Sequence, residues 1–143
     1  MTSRGPSRVP AFLRYWLPAI LYVGGIFSLS SVRGPDLPGG FRHMDKIAHL
    51  LEYSLLGLLL GRAIRFTLSG RSRTMAASAT VLLGALVGLA DELYQRRVPG
   101  RSSDVRDWVV DVLAVTGAVL FTQWVTTRVL RSRDERATRE GRP

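Results

Sequence analysis

Hydrophobic residues in this chain are gathered into four long runs, near residues 15–32, 47–66, 75–93 and 108–129. Each run approaches the roughly 20 mostly apolar residues that a helix needs to cross a membrane. Short segments rich in glycine, proline, serine and arginine separate them, at residues 33–40, 69–73 and 98–103. The pattern predicts an all-α polytopic membrane protein, a compact bundle of four transmembrane helices. Buried helices of a soluble protein are the rival interpretation, but too little amphipathic helix remains to cover four such runs.

The same pattern divides the chain into three regions. Residues 1–14 form a basic N-terminus, residues 15–129 the transmembrane domain, and residues 130–143 a basic tail that we expect to be disordered. The first run also has features of a secretory signal, with Ser28-Leu29-Ser30 as a cleavage site. An uncleaved helix is preferred, because the apolar run is longer than the 7–15 residues of a typical signal core.

Arginine distribution predicts the orientation of the bundle. The chain has 143 residues and a formal net charge of +9. Thirteen arginines lie in the N-terminus, in residues 62–73 and from Arg128 onward, against six in the other two connections. Because cationic residues stay on the cytoplasmic side, both termini should be cytoplasmic. The basic tail directly follows an apolar run, which suits contact with anionic lipid; no nucleic-acid partner is predicted.

Acidic residues recur at the helix ends that this topology places outside the cell. Ionisable side chains beside a spanning helix are costly and mark a working site by default. Helical spacing gives each helix one polar face, which predicts a shared polar chamber opening outward. Its candidate ligand-binding residues are Asp45, Lys46, His49, Glu52, Tyr53, Asp91, Glu92, Gln95, Arg101, Asp104, Asp107 and Asp111.

Several chemistries fit such a chamber. Arg101 and Lys46 suit a phosphate or carboxylate, while the acids and Tyr53 suit sugar hydroxyls. His49, Glu52 and Asp111 are the candidate catalytic residues, but no serine–histidine–acid constellation or glycine-rich phosphate loop indicates a defined reaction. His49 with a carboxylate such as Asp107 offers nitrogen and oxygen ligands for zinc or manganese. The spacing matches no known zinc motif, so no metal and no cofactor is predicted, and an ion-paired network that only locks the helices together stays open.

Two other features concern packing and redox chemistry. Gly57 and Gly61, like Gly84 and Gly88, have the small-xxx-small spacing that lets helices approach closely, within a bundle or in a homodimer. The chain contains no cysteine, which excludes disulfides, thiolate metal sites and cysteine nucleophiles.

The chamber residues resemble a motif set of the VanZ-like family of bacterial integral membrane proteins. The matching motifs are Asp45-Lys46-x-x-His49-x-x-x-Tyr53-x-x-Leu56, Asp91-Glu92-x-x-Gln95-x-x-Val98-Pro99-Gly100-Arg101 and Asp107-x-x-x-Asp111, with Ser30-Ser31 after the first helix. Two positions depart from the family, Asp111 where asparagine is usual and Ala114 where glycine is usual. The first change puts in doubt any role that needs a neutral amide there.

The resemblance implies a multi-pass protein of the bacterial cell envelope. The family's namesake is linked to resistance to teicoplanin, a lipid-tailed glycopeptide, and no settled catalytic activity comes with the family. We therefore expect a binding or resistance-type protein that engages a lipid-linked or cell-wall-related anionic ligand outside the membrane. A membrane-embedded hydrolase of a lipid phosphate or glycan is the alternative, and the hypothesis that the protein is not an enzyme is preferred.

Overall fold

Four helices form the described part of the chain, in a computed structural model that covers residues 10–32, 42–99, 101 and 103–140. They are α1 (Ala11–Ser30), α2 (Arg42–Thr67), α3 (Arg73–Gln95) and α4 (Val105–Glu140). The side chains of residues 42–45, 134, 139 and 140 lie outside the description. All four helices are long and apolar enough to cross a membrane. The prediction of an all-α, four-helix membrane protein is confirmed.

Local sequence explains where backbone polar groups find partners. Ser72 caps α3 by accepting a hydrogen bond from the Met75 amide, 3.1 Å away. Pro18 lies inside α1 and has no amide hydrogen for the carbonyl of Arg14, four residues earlier. The Arg62 guanidinium of α2 donates to that carbonyl at 3.3 Å. A backbone acceptor released by proline is thus satisfied by a neighbouring helix, as a spanning segment requires.

The fourth helix extends beyond the predicted span. It has 36 residues and is therefore about 54 Å long, well above the thickness of a hydrocarbon core. The segment from residue 130 was expected to be disordered, yet it is helical as far as Glu140. The arginine, alanine and glutamate residues of this segment are good helix formers, which accounts for the difference.

Helix α2 packs against all three other helices, while α1 makes no contact with α4 among the described residues. The core is built around Tyr53, Leu56 and Val115, all fully buried. A Cβ atom added at Gly57 would lie 3.0 Å from the Val115 backbone, and one added at Gly84 would lie 2.8 Å from its methyl groups. The predicted close approach is confirmed at these two glycines, which let α2 and α3 both press against α4.

The outer surface of the bundle is apolar. Large hydrophobic side chains on every helix are exposed, among them Leu17, Leu21, Leu51, Leu82, Leu113 and Phe121. Such a surface suits a lipid solvent, in which helices are held together by packing and polar contacts. The polar contacts are concentrated at one end.

Candidate functional site

The polar residues gather where α2 and α4 begin and where α1 and α3 end, here called the acidic end. The opposite end, where α2 ends and α3 begins, is called the arginine end. Buried polar side chains at the acidic end are Ser30, His49, Asp91, Glu92, Gln95, Asp107 and Asp111. Within the membrane interior such groups are expensive unless they are paired, so their partners define the site.

Two side-chain pairs join α2 to α4. Lys46 Nζ donates to Asp107 Oδ1 at 2.5 Å, and His49 Nδ1 lies 2.9 Å from Asp111 Oδ1. Lys46 and His49 are three residues apart on α2, and the two aspartates are four apart on α4, so each pair occupies successive turns. The polar faces that helical spacing predicts on these helices therefore do meet.

Helix α3 is tied to its neighbours through different contacts. Gln95 Nε2 donates to Asp91 Oδ2 at 2.9 Å and to Ser30 Oγ of α1 at 3.3 Å. Glu92 Oε2 accepts a hydrogen bond from the Asp104 backbone amide at 3.1 Å. Gln95 thus connects α3 to the end of α1, and Glu92 connects α3 to the segment that leads into α4.

Four buried polar atoms at this end have no hydrogen-bond partner within the described chain. They are Tyr53 Oη, Asp91 Oδ1, Glu92 Oε1 and Asp111 Oδ2. Buried oxygens of this kind are rare and call for a specific explanation, such as an unseen ion, water or ligand. Each unpaired carboxylate oxygen faces the interior as an acceptor, which makes the acidic end a site that a hydrogen-bond donor or a cation would satisfy.

Gly88 belongs to this site, although its spacing indicated only helix packing. A Cβ atom at Gly88 would lie 3.2 Å from Asp111 Oδ2 and 3.3 Å from Tyr53 Cε1. The absent side chain lets α3 approach the carboxylate of α4 and the ring of α2. The Tyr53 ring in turn stacks with His49, with centroids 6.2 Å apart. No polar pattern in the sequence could identify a residue whose contribution is the lack of a side chain.

Arg101, predicted to contact an anion, is engaged with backbone. Its Nε donates to the Val32 carbonyl and its Nη2 to the Leu29 carbonyl, both at 3.1 Å. The Leu29 carbonyl lies in the last turn of α1 and also accepts from the Val32 amide at 3.1 Å, and the Val32 carbonyl follows two residues after the helix. Arg101 therefore fastens the α3–α4 connection to α1 and keeps its remaining donors for another group. Arg97 and Arg106 are exposed beside it.

Three predicted residues lie at the margin or outside the description. The carboxylate of Asp104 is exposed one residue before α4 and accepts from the Arg106 amide at 2.9 Å, so it caps the helix. The predicted α4 stripe accordingly consists of Asp107 and Asp111. Glu52 is half-buried and interacts electrostatically with Tyr22 of α1. The side chain of Asp45 lies outside the described residues.

The sign of the charge inside the acidic end is negative. Four buried carboxylates, those of Asp91, Glu92, Asp107 and Asp111, face two basic side chains, Lys46 and His49. An anion would be repelled by this interior, while a cation or a neutral donor would be stabilised. His49, Glu92 and Asp111 also offer ligand atoms that all lie within 4.8 Å of one another. Asp107, which the sequence offered as a metal ligand with His49, is held by Lys46 instead.

The arginine end has a different construction. An open groove of about 580 Å³ lies between α2, α3 and α4, and Arg62, Arg65 and Arg73 line it with small and apolar residues. Arg62 also stacks over Tyr15, with its guanidinium carbon 4.8 Å from the ring centroid. Among the described residues, no carboxylate lines the groove.

Comparison with known proteins gives one match. A family model described as VanZ/LLP1 matches residues 9–126, most of the chain and all four helices in part or whole. No curated protein matches. No solved structure matches either.

Proposed function

The chain belongs to the VanZ/LLP1 family, and on that premise we propose that it binds a lipid-linked, cell-wall-related molecule at its acidic end. The observation that carries the proposal is the convergence of α2, α3 and α4 on buried carboxylates with unused acceptor oxygens, beneath exposed arginines. A site that only locked helices together would use all its acceptors internally. The buried oxygens without a partner are therefore the feature that indicates a ligand.

In the proposed orientation, the arginine end faces the cytoplasm and the acidic end faces the cell envelope of a bacterium. Thirteen of the nineteen arginines lie on the termini and in residues 62–73, which supports this direction through the positive-inside rule. The test uses the absence of native cysteine. A cysteine at Pro99 should react with a membrane-impermeant maleimide applied to intact cells, while a cysteine at Ser69 should react only after lysis. The reverse pattern would contradict the orientation.

The charge distribution suggests how a ligand divides between rim and interior. Arg97 and Arg106 are exposed at the rim, where a phosphate of a lipid-linked molecule meets water and headgroups. Below them Asp91, and likewise Glu92 and Asp111, has a buried acceptor oxygen without a partner in the described chain. A phosphate suits the rim, and the hydroxyl, amide or ammonium donors of a glycan or peptide suit the interior. Cell-wall precursors combine these two chemistries in one molecule.

Resistance to a teicoplanin-type glycopeptide is the physiological consequence we propose. Such an antibiotic carries a lipid tail and acts at the outer surface of the membrane. A protein that holds lipid-linked precursors at the same surface would compete with the antibiotic for its target. Expression in a sensitive strain should raise the inhibitory concentration of teicoplanin, and an Asp91→Asn variant expressed at the same level should not.

Binding measurements with two ligands would distinguish the role of the arginine rim from that of the acidic interior. Native mass spectrometry of the purified protein would compare a polyprenyl phosphate with a polyprenyl diphosphate that carries a sugar. The double substitution Arg97→Gln/Arg106→Gln should lower the affinity for both ligands by about tenfold, which is the effect of losing a charge-assisted contact. Asp91→Asn should weaken only the sugar-bearing ligand. Arg71→Gln/Arg73→Gln, an equal loss of charge at the arginine end, serves as the control; equal effects from both arginine pairs would count against the site.

A membrane-embedded hydrolase is the second candidate, and the contact between His49 and Asp111 favours it. A carboxylate that orients an imidazole is the arrangement of a general base, and Glu92 lies close by. Release of phosphate or sugar from the same polyprenyl substrates, abolished by His49→Gln, would establish catalysis. Binding without turnover by the intact protein would leave the binding function alone.

A further inference from the structure

The buried cluster of His49, Glu92 and Asp111 has the composition of a metal site. We infer that these three residues, one each from α2, α3 and α4, bind a divalent transition metal ion of the zinc or manganese type. One imidazole with two carboxylates is a nitrogen and oxygen donor set that such ions accept, while magnesium and calcium prefer oxygen alone. The inference goes beyond the proposed ligand: an ion would occupy Glu92 and Asp111 and leave the unpartnered oxygen of Asp91 to that ligand, and either proposal can fail without the other.

The distances between the three side chains are compatible with one shared ion. The three ligand atoms lie within 4.8 Å of one another, and His49 Nδ1 lies 2.9 Å from Asp111 Oδ1. Ligand atoms about 2.1 Å from a tetrahedral ion are about 3.4 Å apart. Side-chain rotations that widen the His49–Asp111 pair and shorten the longer separations would therefore complete a common coordination sphere, leaving one position open for water or substrate. All three residues are buried, with 5% or less of each exposed.

The unused carboxylate oxygens of the cluster also favour a metal ion. Glu92 Oε1 and Asp111 Oδ2 are buried and have no partner in the described chain. The other oxygen of Glu92 is already held by the Asp104 amide. This division is typical of metal ligands, in which one oxygen coordinates and the other is oriented by a neighbouring donor. The other oxygen of Asp111 lies 2.9 Å from His49 Nδ1, and a metal ion bound by this pair would take the place of the proton between them.

The negative charge around the cluster also favours a cation. Asp91 adds a third buried carboxylate beside Glu92 on α3, while Lys46 is already paired with Asp107. Several carboxylates at membrane depth need positive charge nearby, since an isolated ionised group in a low-dielectric interior is strongly disfavoured. A divalent ion would supply that charge at the point where α2, α3 and α4 meet.

The test is metal binding by the purified full chain in detergent. After treatment with EDTA and dialysis, the protein would be titrated with ZnCl₂ and separately with MnCl₂ against a fluorescent chelator. Elemental analysis would then follow removal of free metal. We expect retention of about one equivalent of zinc or manganese per chain, with no retention of magnesium or calcium. X-ray absorption at the metal edge should show a single imidazole among oxygen ligands.

Two matched variants locate the ion. Glu92→Gln removes a proposed ligand and should lower the affinity by at least about tenfold. Glu135→Gln removes the same charge from an exposed carboxylate near the far end of α4 and should leave the affinity unchanged. Failure of the wild-type protein to retain either metal would overturn the inference whatever the variants do. Equal affinities of the two variants would overturn it as well. Neither result depends on an envelope ligand, because none is present in the assay.

Discussion

The two ends of the bundle carry their charges in opposite ways. At the acidic end, carboxylates are buried and meet basic side chains across helices, as in the 2.5 Å pair between Lys46 and Asp107. At the arginine end, guanidinium groups surround an open groove and donate to backbone carbonyls, such as that of Arg71, which accepts from Arg65 at 3.2 Å. Buried carboxylates need partners fixed by packing, whereas exposed arginines can reach water and lipid headgroups.

Helix packing follows the same division. Gly84 and Gly88 face α4 so closely that an added Cβ atom would collide with Val115 or press on Asp111. Gly61, at the start of the groove, has only the Thr80 methyl group within 4 Å, at 3.8 Å. The acidic end is therefore tightly packed, which holds the site in place, and the arginine end leaves room between the helices. The predictions below compare matched residues from the two halves.

The largest difference should come from enlarging a glycine in each half. Gly84→Leu would drive a side chain into Val115, and overpacking of this kind costs about 1–3 kcal/mol or more. Gly61→Leu should be tolerated, because the adjoining groove can accommodate the added atoms. Thermal unfolding in detergent, followed by tryptophan fluorescence, would report both. Equal losses of stability would show that the two halves are packed alike.

Breaking the ion pair at the acidic end should have the next largest effect. Lys46→Met leaves the Asp107 carboxylate without its cation, and the Asp107 side chain is only 11% exposed. We expect a loss of about 1–3 kcal/mol, the penalty for an unsatisfied buried group. Asp107→Asn should cost less, since the Lys46 side chain is 41% exposed and can reach water.

The double variant Lys46→Met/Asp107→Asn completes the cycle and should recover much of the loss, with a coupling energy of about 0.5–3 kcal/mol. Arg73→Met, at the arginine end, is the control and should change stability by no more than about 0.5 kcal/mol. Additive effects in the cycle would mean that the pair contributes nothing to the folded state.

A pair of glutamines provides the third comparison. Gln95→Leu removes the donor to Asp91 and to Ser30, so an aspartate with one unpaired oxygen would have two. The expected loss is about 1–3 kcal/mol. Gln123→Leu, in the groove lining, should be neutral or stabilising in a lipid-facing setting. Unfolding by SDS in mixed micelles would rank the two variants, and a larger loss for Gln123→Leu would reverse the proposed contrast.

Much of this architecture could be predicted from the sequence, because the relevant signals are local. Run lengths indicated four helices, and spacings of three and four residues placed Lys46 and His49 on one face of α2. The meeting of that face with Asp107 and Asp111 followed from the cost of turning acids toward lipid. These inferences need no knowledge of how the helices are rotated in detail.

The remaining features depend on helix rotation and on contacts with backbone, which spacing does not specify. Arg101 is predicted to contact a ligand, and its hydrogen bonds to the Leu29 and Val32 carbonyls are contacts that residue spacing does not indicate. The sequence suggested Asp107 as a metal ligand together with His49. In the structure Glu92 lies in the cluster with His49, and Asp107 is paired with Lys46. The groove at the arginine end lies between α2, α3 and α4, and no residue pattern in the sequence predicts it.

The smallest expected difference concerns the arginines that bind backbone at each end. Arg101 makes two hydrogen bonds at 3.1 Å to the end of α1, whereas Arg65 makes one at 3.2 Å to the turn after α2. Lysine keeps the charge but lacks the planar fork that reaches two carbonyls at once. Arg101→Lys should therefore lose about one hydrogen bond, or 0.5–1.5 kcal/mol, while Arg65→Lys should change stability by less than about 0.5 kcal/mol.

The two lysine variants also distinguish a fastening role from a ligand contact for Arg101. If Arg101 mainly fastens the α3–α4 connection, hydrogen exchange should increase at the end of α1 in Arg101→Lys, because the contacts with the Leu29 and Val32 carbonyls weaken and the Leu29 carbonyl keeps only the Val32 amide. Binding of a polyprenyl phosphate should then fall only slightly, since the exposed Arg97 and Arg106 remain. Unchanged exchange together with a tenfold loss of binding would instead make Arg101 a direct phosphate contact, since about 1.4 kcal/mol of binding energy would then belong to that one side chain.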